Sequence, residues 1–416
     1  MKKTTFYAGA GKAVIDLPGE IFPLEGFTGM QEKLAVRVLL LQSGQRTAFI
    51  SVEMTSLPTD EIAPLQAMAA EILGSSPENI WICPTHTFSA PHIRHEQHLG
   101  SEAERQKNRL LRELVWQAVR RAAQAALQAL QPATPYFAET TCDINVNRDV
   151  ETEAGWWLGS NPSGPSDKKV SVLAFVAEDG AMLAVLFNYA VQSSVLDGAC
   201  LPDGTRRISG DLAGQAMRCI EAAYAGRTVA IFGLGAAGDQ APVAQAVRYE
   251  AAGEKMWLQL GYQKMRELGN ALGQTVLGAV KYSLAELTGD EIQVYRAEMK
   301  FAAQRLPERR ELRPSRSYEY QVSGERILPL EFWQLGTLVL LGVQPELGAF
   351  TAQTLQQMAS RQPILIFTMV NGAAKYMAPK EAYASYKYEA MNSPFAQGSA
   401  EKLCNGVLQT LHKFKK

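Results

Sequence analysis

Short runs of apolar residues, many of them β-branched or aromatic, recur along the chain, and each is soon followed by a polar residue. The run Ile80–Cys83, for example, stops at Pro84 and leads to His86. Such a run ending at a turn-forming residue is typical of a buried strand that enters a loop. The polar residues that follow these runs are Glu53, His86, Gln192, Asp239, Glu346 and Tyr376. Because ligands of open α/β sheets lie beyond the carboxyl ends of the strands, we expect these loops to converge on one site.

Turn residues and helix caps divide the chain into alternating strands and helices, which predicts an α/β fold with mixed β-sheets flanked by helices. Ser43-Gly44 indicates a hairpin, Gly74 marks the end of a helix, and Ser101 with Glu104 forms a capping-box pattern. The predicted strands lie at 36–42, 46–53, 169–176, 181–188, 291–303 and 328–343, and the predicted helices lie at 59–73, from 101 to Pro132, at 212–225, at 255–286 and at the end of the chain.

Three segments lack a clear hydrophobic period. Residues 5–18 are expected to be irregular. The segment 143–168 is rich in Asn, Gly, Pro and Ser and contains Trp156 and Trp157, and long ordered loops of this kind are often functional. Residues 305–326 mix arginines with glutamates, which favours a solvated connection over a binding patch.

Length, charge and cysteine content narrow the class of protein. The 416 residues are 47% hydrophobic, so the chain can bury a large core, and the net charge of −1 provides no attraction for nucleic acid. No apolar run is long enough for a signal-peptide core or a membrane span. Five widely spaced cysteines without a CxxC pair favour reduced thiols in a cytoplasmic protein. The strand-and-polar-residue pattern extends along the chain, so we expect one catalytic domain over 1–416.

A GxGxxG sequence at 233–238 follows an apolar run, but its surroundings do not fit a dinucleotide site. Asp239 and Pro242 come directly after it, where a helix should begin and face a pyrophosphate. No second strand with a terminal acid lies about 20 residues further on. We interpret the glycines as allowing close backbone packing around Asp239.

Histidines cluster on the loop after the run that starts at Ile80. His86 is compatible with a structural role as well as with metal binding, and His92, His95 and His98 are compatible with a polar surface loop, extra metal ligands or substrate contacts. Glu346 lies beside an apolar strand, so a metal, an arginine or solvent exposure must compensate its charge.

Together, the motifs of this chain resemble those of the neutral (non-lysosomal) ceramidases and their bacterial relatives. The family motif T-H-T-H-S-x-P is similar to Thr85–Pro91, and W-x-x-x-N-P-x-G-P-x-D matches Trp157–Asp167. Further similar segments are Gly9–Pro18, Asn147-Arg148, Asn188–Ser194, Ser209–Gly214, Gly238–Pro242, Gln344–Glu346 and Asn371–Ala390. Their order is kept over nearly the whole chain, without room for the immunoglobulin-like C-terminal domain of larger members.

The resemblance implies a fold like the N-terminal domain of neutral ceramidases and a zinc amidase whose metal is held by two histidines, a glutamate and a tyrosine. The corresponding positions are His86, Gln192, Glu346 and Tyr376. Gln192 replaces the second histidine ligand, Phe88 replaces the other histidine of the T-H-T-H motif, and Asp149 replaces the serine after the asparagine-arginine pair. Because zinc prefers imidazole, thiolate and carboxylate, we expect weakened zinc binding unless another histidine of the 92–98 loop contributes.

The first functional hypothesis is a metal-dependent hydrolase of amide or ester bonds, acting on a small-molecule or lipid-like substrate through a metal-activated water. Arg148 and Tyr388 would stabilise the oxyanion, and Asp149 would serve as general base. The carboxylates expected to fix loops or orient ligands are Glu53, Asp211 and Asp239, and the side chains expected to contact substrate are Phe88, His92, Trp156 and Trp157.

The second hypothesis is a ligand-binding protein, or pseudo-enzyme, that kept the scaffold and lost the zinc. The replacements at Phe88, Asp149 and Gln192 motivate it. Metal content of the purified protein, compared with that of Gln192→His, distinguishes the two hypotheses.

Overall fold

The computed structural model describes residues 5–201, 204–249, 255–257, 261–287, 291–360 and 362–413. Over these residues the chain forms eight α-helices: α1 Thr59–Leu73, α2 Glu102–Gln128, α3 Asp211–Ala223, α4 Gly261–Tyr282, α5 Ala349–Met358, α6 Lys380–Ala384, α7 Tyr388–Met391 and α8 Ser399–Lys413. None of the helices in this described part is long and apolar enough to cross a membrane.

Strands make up much of the remaining chain, and the architecture is mixed α/β, as predicted. The strands are β1 Tyr7–Val14, β2 Phe27–Met30, β3 Ala35–Ser43, β4 Gln45–Val52, β5 Ile80–Pro84, β6 Gln131–Thr141, β7 Asn145–Thr152, β8 Gly155–Asn161, β9 Lys169–Ala177, β10 Met182–Tyr189, β11 Arg206–Ile208, β12 Val229–Leu234, β13 Gln240–Pro242, β14 Val247–Tyr249, β15 Lys255–Trp257, β16 Ala285–Glu286, β17 Ile292–Gln304, β18 Val322–Leu335, β19 Leu338–Val343, β20 Glu346–Leu347, β21 Ile364–Phe367 and β22 Tyr376–Met377.

The largest sheet has nine strands in the order β12-β10-β9-β6-β1-β3-β4-β5, with β16 paired to β6. Its β4–β5 and β10–β12 pairs are parallel, whereas β1–β3 and β9–β10 are antiparallel. The loops after β5 and β10 meet, because Thr87 and Ser193 form a parallel bridge. The sheet therefore brings two of the predicted site loops together.

The strand β3 is buried on both faces. Val36, Val38 and Leu40 pack into the core that includes α1 and α2, whereas Leu39 and Leu41 pack into the core that includes α3. A nearly continuous apolar run is expected when both faces of a strand are covered. Each such fully buried side chain contributes about 1.5–3 kcal/mol relative to an exposed one.

The strand β1 lies within residues 5–18, so the prediction of an irregular segment there was wrong. It pairs with β3 over its whole length. A Cβ built at Gly11 would lie 2.2 Å from the carbonyl oxygen of Ala122, and one at Gly9 would lie 2.3 Å from that of Ala126. The helix α2 therefore packs directly on the strand backbone, which explains why glycines interrupt the hydrophobic pattern.

Several other predicted boundaries need correction. The long helix ends at Gln128, and Pro132 belongs to β6, a strand that the pattern did not predict. The 143–168 segment contains the hairpin of β7 and β8 instead of a continuous loop. The helix predicted at 255–286 begins at Gly261, after β15. The predicted 328–343 strand divides at Gly336, whose φ of 57° is left-handed, and β18 already begins inside the predicted charged connection.

A second sheet, in the order β17-β18-β19-β21, packs against α5 and α8. The indole rings of Trp81 in β5 and Trp333 in β18 stack with centroids 4.2 Å apart, so the two sheets share a core. Two smaller units complete the site region: the β13-β7-β8 sheet, and the parallel pair of β20 with β22. In that pair Glu346 lies directly opposite Tyr376.

Candidate functional site

His86 follows β5 in a backbone conformation that is unfavourable for a residue with a side chain. Its φ is 56°, and such residues cost about 1–3 kcal/mol and occur often at functional sites. Its Nδ1 lies 2.7 Å from the carbonyl oxygen of Thr55, which only accepts, so Nδ1 carries a proton. Its Nε2 is buried and has no hydrogen-bond partner among the described residues. This nitrogen faces the site, where it accepts a hydrogen bond in the neutral ring and donates one in the protonated ring.

Glu346 faces this imidazole. Its Oε2 lies 3.3 Å from His86 Nε2, an ion-pair distance. Burial disfavours the carboxylate charge, but His86 and Arg148 outweigh burial and hold the pKa of Glu346 below its ordinary value. Burial, together with the Glu346 charge, raises the pKa of Tyr376, so its phenol stays a hydrogen-bond donor at neutral pH.

Arg148 in β7 orients the side chain of Gln192. Its Nη1 donates to Gln192 Oε1 at 3.0 Å, and Gln192 Nε2 donates to Glu346 Oε2 at 3.3 Å. Because a guanidinium has only donors, the amide oxygen must face Arg148 and the NH₂ group must face Glu346. Arg148 Cζ also lies 5.4 Å from the ring centre of Tyr376 and 5.5 Å from that of Tyr388. Residues from distant parts of the sequence therefore form one buried network.

Asp149 and Glu389 form an acidic pair next to Arg148. Arg148 donates to Glu389 Oε1 from Nε at 2.9 Å and from Nη2 at 2.7 Å, and Lys387 Nζ donates to Asp149 Oδ2 at 2.9 Å. Glu389 Oε2 is buried without a hydrogen-bond partner in the described part of the chain. Burial and the adjacent Asp149 carboxylate raise the pKa of Glu389 well above its ordinary value. This favours a protonated Glu389 that donates to Asp149.

Asp211 fixes the loop that follows Gln192. Its backbone is left-handed, with φ of 51°, and its side chain is fully buried. The carboxylate accepts the backbone N–H groups of Val195 at 3.2 Å and Leu196 at 2.9 Å. Burial raises the pKa of Asp211 to about 6. The residue thus supports the loop.

Asp239 joins three elements beside the site. Its carboxylate accepts from the backbone N–H of Ala349 at 2.8 Å, from Gln240 Nε2 at 2.9 Å and from Asn147 Nδ2 at 3.3 Å. The bond to Ala349 satisfies an N–H at the start of α5 that has no acceptor within the helix. Burial and the charge of Asp149 raise the pKa of Asp239 to about 6.

Glu53 belongs to a different buried network. Arg37 donates to Glu53 and, through Nε at 2.7 Å, to Glu221, which also binds Lys12 at 2.6 Å. Its hydrogen bonds within the described residues do not reach His86. Glu53 was expected to orient a metal ligand, but its hydrogen bonds in the described part of the chain go to other residues. Its carboxylate balances the buried charge of Arg37.

A cavity of about 190 Å³ lies beside the network, and its wall combines acidic with apolar groups. The acidic residues are Asp149, Asp239, Glu346, Glu381 and Glu389, and the apolar ones are Pro165, Phe350, Met377, Ala378, Pro379 and Ala382. Tyr376 and Lys387 also contribute to the wall. The cavity therefore suits a ligand that has both a polar and an apolar part.

The predicted aromatic contacts surround the network. The Phe88 ring packs edge-on against His86 with centroids 4.8 Å apart. Lys387 Nζ lies 4.6 Å from the ring centre of Trp156, and the Trp157 ring contacts Tyr388 with centroids 5.5 Å apart. These aromatic residues support the side chains at the cavity but are not among the residues that line it.

The remaining loop histidines make surface contacts. His92 Nδ1 lies 2.9 Å from Glu25 Oε2, and His95 Nδ1 lies 3.3 Å from Asp60 Oδ2. The rings of His95 and His98 contact each other with centroids 5.8 Å apart. These positions therefore do not support the alternative in which one of the three histidines supplies the second metal ligand. They also do not support the substrate contact expected of His92.

Sequence reasoning assigned no role to Lys387, Glu389 or Asn147. Lys387 and Glu389 flank Tyr388, which was predicted as an oxyanion donor, and this adjacency was the available signal. The position of Glu389 next to Tyr388 indicates a candidate site residue, but its partner Asp149 is far away in sequence. The pairing becomes visible when β7 and α7 are brought together.

The donors of this site do not fit a four-ligand zinc ion. His86 Nε2 and Glu346 are suitable ligands. Gln192, however, directs N–H groups towards Glu346, because its oxygen accepts from Arg148. The ring of Tyr376 lies 5.4 Å from the Arg148 guanidinium carbon, so a positive charge already stands beside it. The described residues contain no group of three or more His, Cys, Asp or Glu arranged to hold a metal.

Known proteins match this chain in structure. No protein-family model and no curated protein matches its sequence. The neutral ceramidase from Pseudomonas aeruginosa superposes with a TM-score of 0.71 and 16% identity, over 96% of this chain and 73% of that chain. A ceramidase complexed with C2 gives the same TM-score and identity, over 96% and 74%. The chain therefore has a ceramidase-like fold, which confirms the resemblance drawn from the sequence at the level of the fold.

Proposed function

We propose that this chain is a hydrolase that cleaves the amide bond of an N-acyl, ceramide-like substrate. The observation that carries the proposal is the convergence of His86, Arg148, Glu346, Tyr376 and Tyr388 on one buried network beside a cavity. The two ceramidases that share the fold make linear amides the first substrate class to test. Five unpaired cysteines are compatible with the cytoplasmic location that the sequence predicts.

The network offers donors for an amide oxygen that gains negative charge. Arg148 is permanently charged, and burial raises the pKa values of Tyr376 and Tyr388, so both phenols keep their hydrogens. Removing one preorganised donor of this kind typically costs about 3–4 kcal/mol of transition-state stabilisation. We assign oxyanion stabilisation to Arg148 and to these phenols, and we assign no step to zinc because the donor set does not fit it.

A second candidate is a protein that binds the same class of ligand without cleaving it. The observation in its favour is the side chain of Gln192, which is held at both ends by Arg148 and Glu346 where the resemblance implies a histidine ligand. If zinc is indispensable for cleavage on this scaffold, the amide at this position abolishes turnover and leaves the cavity intact.

The test uses the purified full-length chain with a short-chain ceramide and with an N-hexanoyl aminocoumarin. We expect release of the amine, and a loss of at least about 100-fold in kcat for Arg148→Met. Arg326→Met, a substitution on the exposed outer part of β18, is the matched control and should retain activity. Circular dichroism and thermal unfolding verify that both variants fold. Binding of either amide without release of its amine would refute the hydrolase and favour the second candidate.

A further inference from the structure

We propose that Asp149 and Glu389 act as a proton-sharing acid–base pair that carries out amide hydrolysis in this site. The inference rests on the proposed function and extends it, because it assigns both proton transfers to the protein's own carboxyl groups. It also gives Glu389 a catalytic role and replaces the metal-bound water of the sequence-based hypothesis with a water that Asp149 activates directly.

The first support is the way in which the two carboxyl groups are held. Both line the same cavity, and each has one oxygen fixed by a cation: Arg148 binds Glu389 Oε1 twice, and Lys387 binds Asp149 Oδ2. Lys387 is in turn positioned over the ring of Trp156. The two acids are therefore locked in place and still face the space where a substrate fits.

The second support is the unpartnered oxygen of Glu389. The Glu389 residue is 5% exposed, and its Oε2 has no hydrogen-bond partner within the described ranges. A buried carboxylate oxygen without a donor is unfavourable, and a proton between Glu389 and Asp149 removes that cost.

Burial and the mutual repulsion of the two carboxylates favour one shared proton over two ionised groups, and they outweigh the opposing charge of Arg148. Arg148 comes from β7, Lys387 and Tyr388 come from the start of α7, and Asp239 follows β12. Two carboxylates in contact do not ionise independently, and one of them keeps its proton to a higher pH. Glu389 has a buried Oε2 without a hydrogen-bond partner in the described ranges, whereas Asp149 Oδ2 accepts from Lys387, so we assign the proton and the role of acid to Glu389 and the role of base to Asp149. The raised pKa of Glu389, caused by burial and by Asp149, agrees with this assignment.

The reaction balances with these two groups. Asp149 accepts one proton from water while the water oxygen bonds to the amide carbon and the C=O electron pair moves to oxygen. When the oxyanion collapses, the C–N bond breaks and Glu389 gives its proton to the leaving nitrogen. The products are a carboxylic acid and an amine, and transfer of the proton from Asp149 to Glu389 restores the pair.

Infrared difference spectroscopy of the purified chain tests the shared proton without any substrate. The spectra are recorded at a pH above 7, where Asp211 and Asp239, with pKa values of about 6, are ionised. We expect a protonated-carboxyl C=O band in the wild type that disappears in Glu389→Gln. Glu113→Gln, on the exposed face of α2, is the matched control and should keep the band. Absence of a band that depends on Glu389 would overturn the proposal.

Kinetics on the short-chain ceramide and the N-hexanoyl aminocoumarin test the catalytic role. We expect a chelator-treated enzyme to retain its rate, Glu389→Gln to lower kcat by about 100-fold or more, and Glu389→Asp to recover part of that loss. The decline of the wild-type rate with rising pH should vanish in Glu389→Gln. Activity that chelation abolishes and zinc restores, or an unchanged pH profile, would refute the acid–base pair. If neither amide is cleaved, the proposed function fails, and the infrared result still decides whether the pair shares a proton.

Discussion

The side-chain amide of Gln192 donates a hydrogen bond to Glu346 Oε2 across 3.3 Å. A zinc ligand at this position would have to present a lone pair, and Gln192 presents N–H groups because Arg148 fixes its oxygen. The guanidinium also adds a positive charge beside the position that the cation would take. Gln192 thus links Arg148 to Glu346 through its side-chain amide and offers no lone pair towards Glu346.

The first prediction concerns metal affinity. We expect the wild type to retain little zinc after dialysis, and Gln192→His to bind it at least about tenfold more tightly, because a neutral imidazole supplies a lone pair. Titration calorimetry and elemental analysis measure both quantities. Gln397→His, at an exposed position, controls for an added surface histidine. Stoichiometric, tightly held zinc in the wild type would contradict this prediction.

The second prediction concerns the loop after Gln192. Asp211→Ala removes the acceptor for the N–H groups of Val195 and Leu196 and leaves a left-handed alanine in the core. We expect the free energy of unfolding to fall by about 3 kcal/mol or more. Denaturant unfolding followed by circular dichroism measures this change. The control variant Asp143→Ala removes an exposed carboxylate and should change the free energy of unfolding by less than about 0.5 kcal/mol. Equal effects of Asp211→Ala and Asp143→Ala would show that the hydrogen bonds to the loop contribute little to stability.

The third prediction concerns the pH dependence of stability. The folded state raises the pKa of Asp239 from 3.8 to about 6, so the native protein binds this proton more tightly than the unfolded chain does. The contribution of Asp239 to stability is therefore greatest at low pH and falls as pH rises from about 4 to about 6. Relative to Asp239→Asn, the wild type should lose up to about 3 kcal/mol across this window.

Denaturant unfolding at a series of pH values measures that difference. Asp179→Asn, in the exposed turn between β9 and β10, should give a curve parallel to that of the wild type. Parallel curves for Asp239→Asn and the wild type would mean that the folded protein does not perturb this carboxyl group.

The fourth prediction concerns the contact between β1 and α2. In Gly11→Ala the new methyl group would lie 2.2 Å from the carbonyl oxygen of Ala122, so the helix or the strand must shift. We expect a loss of about 1–3 kcal/mol in the free energy of unfolding. Gly19→Ala is the matched control, since nothing lies within 4 Å of its added methyl group, and its effect should stay within about 0.5 kcal/mol. Similar melting curves for the two variants would exclude close helix–strand packing.

Elements whose signals are local were predicted well from sequence. The helix α1 runs from Thr59 to Leu73 and ends at the left-handed Gly74, and the capping box of Ser101 and Glu104 starts α2. The strand β1 was missed because its glycines reflect contact with a helix more than 100 residues further along the chain. A pattern read along one segment contains no information about such a neighbour.

The same distinction applies to the site. Residues at the ends of apolar strands, such as His86, Gln192 and Glu346, could be predicted to converge because sheet topology places strand ends together. The pairing of Asp149 with Glu389 could not be predicted, because it depends on how β7 faces α7. Glu53 also follows a strand, as the pattern predicted, but it does not join the site because its carboxylate pairs with the buried Arg37.

The short parallel pair of β20 and β22 has a lasting consequence for this scaffold. Glu346 and Tyr376 stand opposite each other across a ladder, so their backbones are separated by the ordinary spacing of adjacent strands, about 4.8 Å. The 29 residues between them, 347–375, include α5 and β21 and can change length or composition without altering that separation. The residues around Glu346 and Tyr376 can therefore differ between related chains while the β20–β22 ladder keeps the distance between the two residues unchanged.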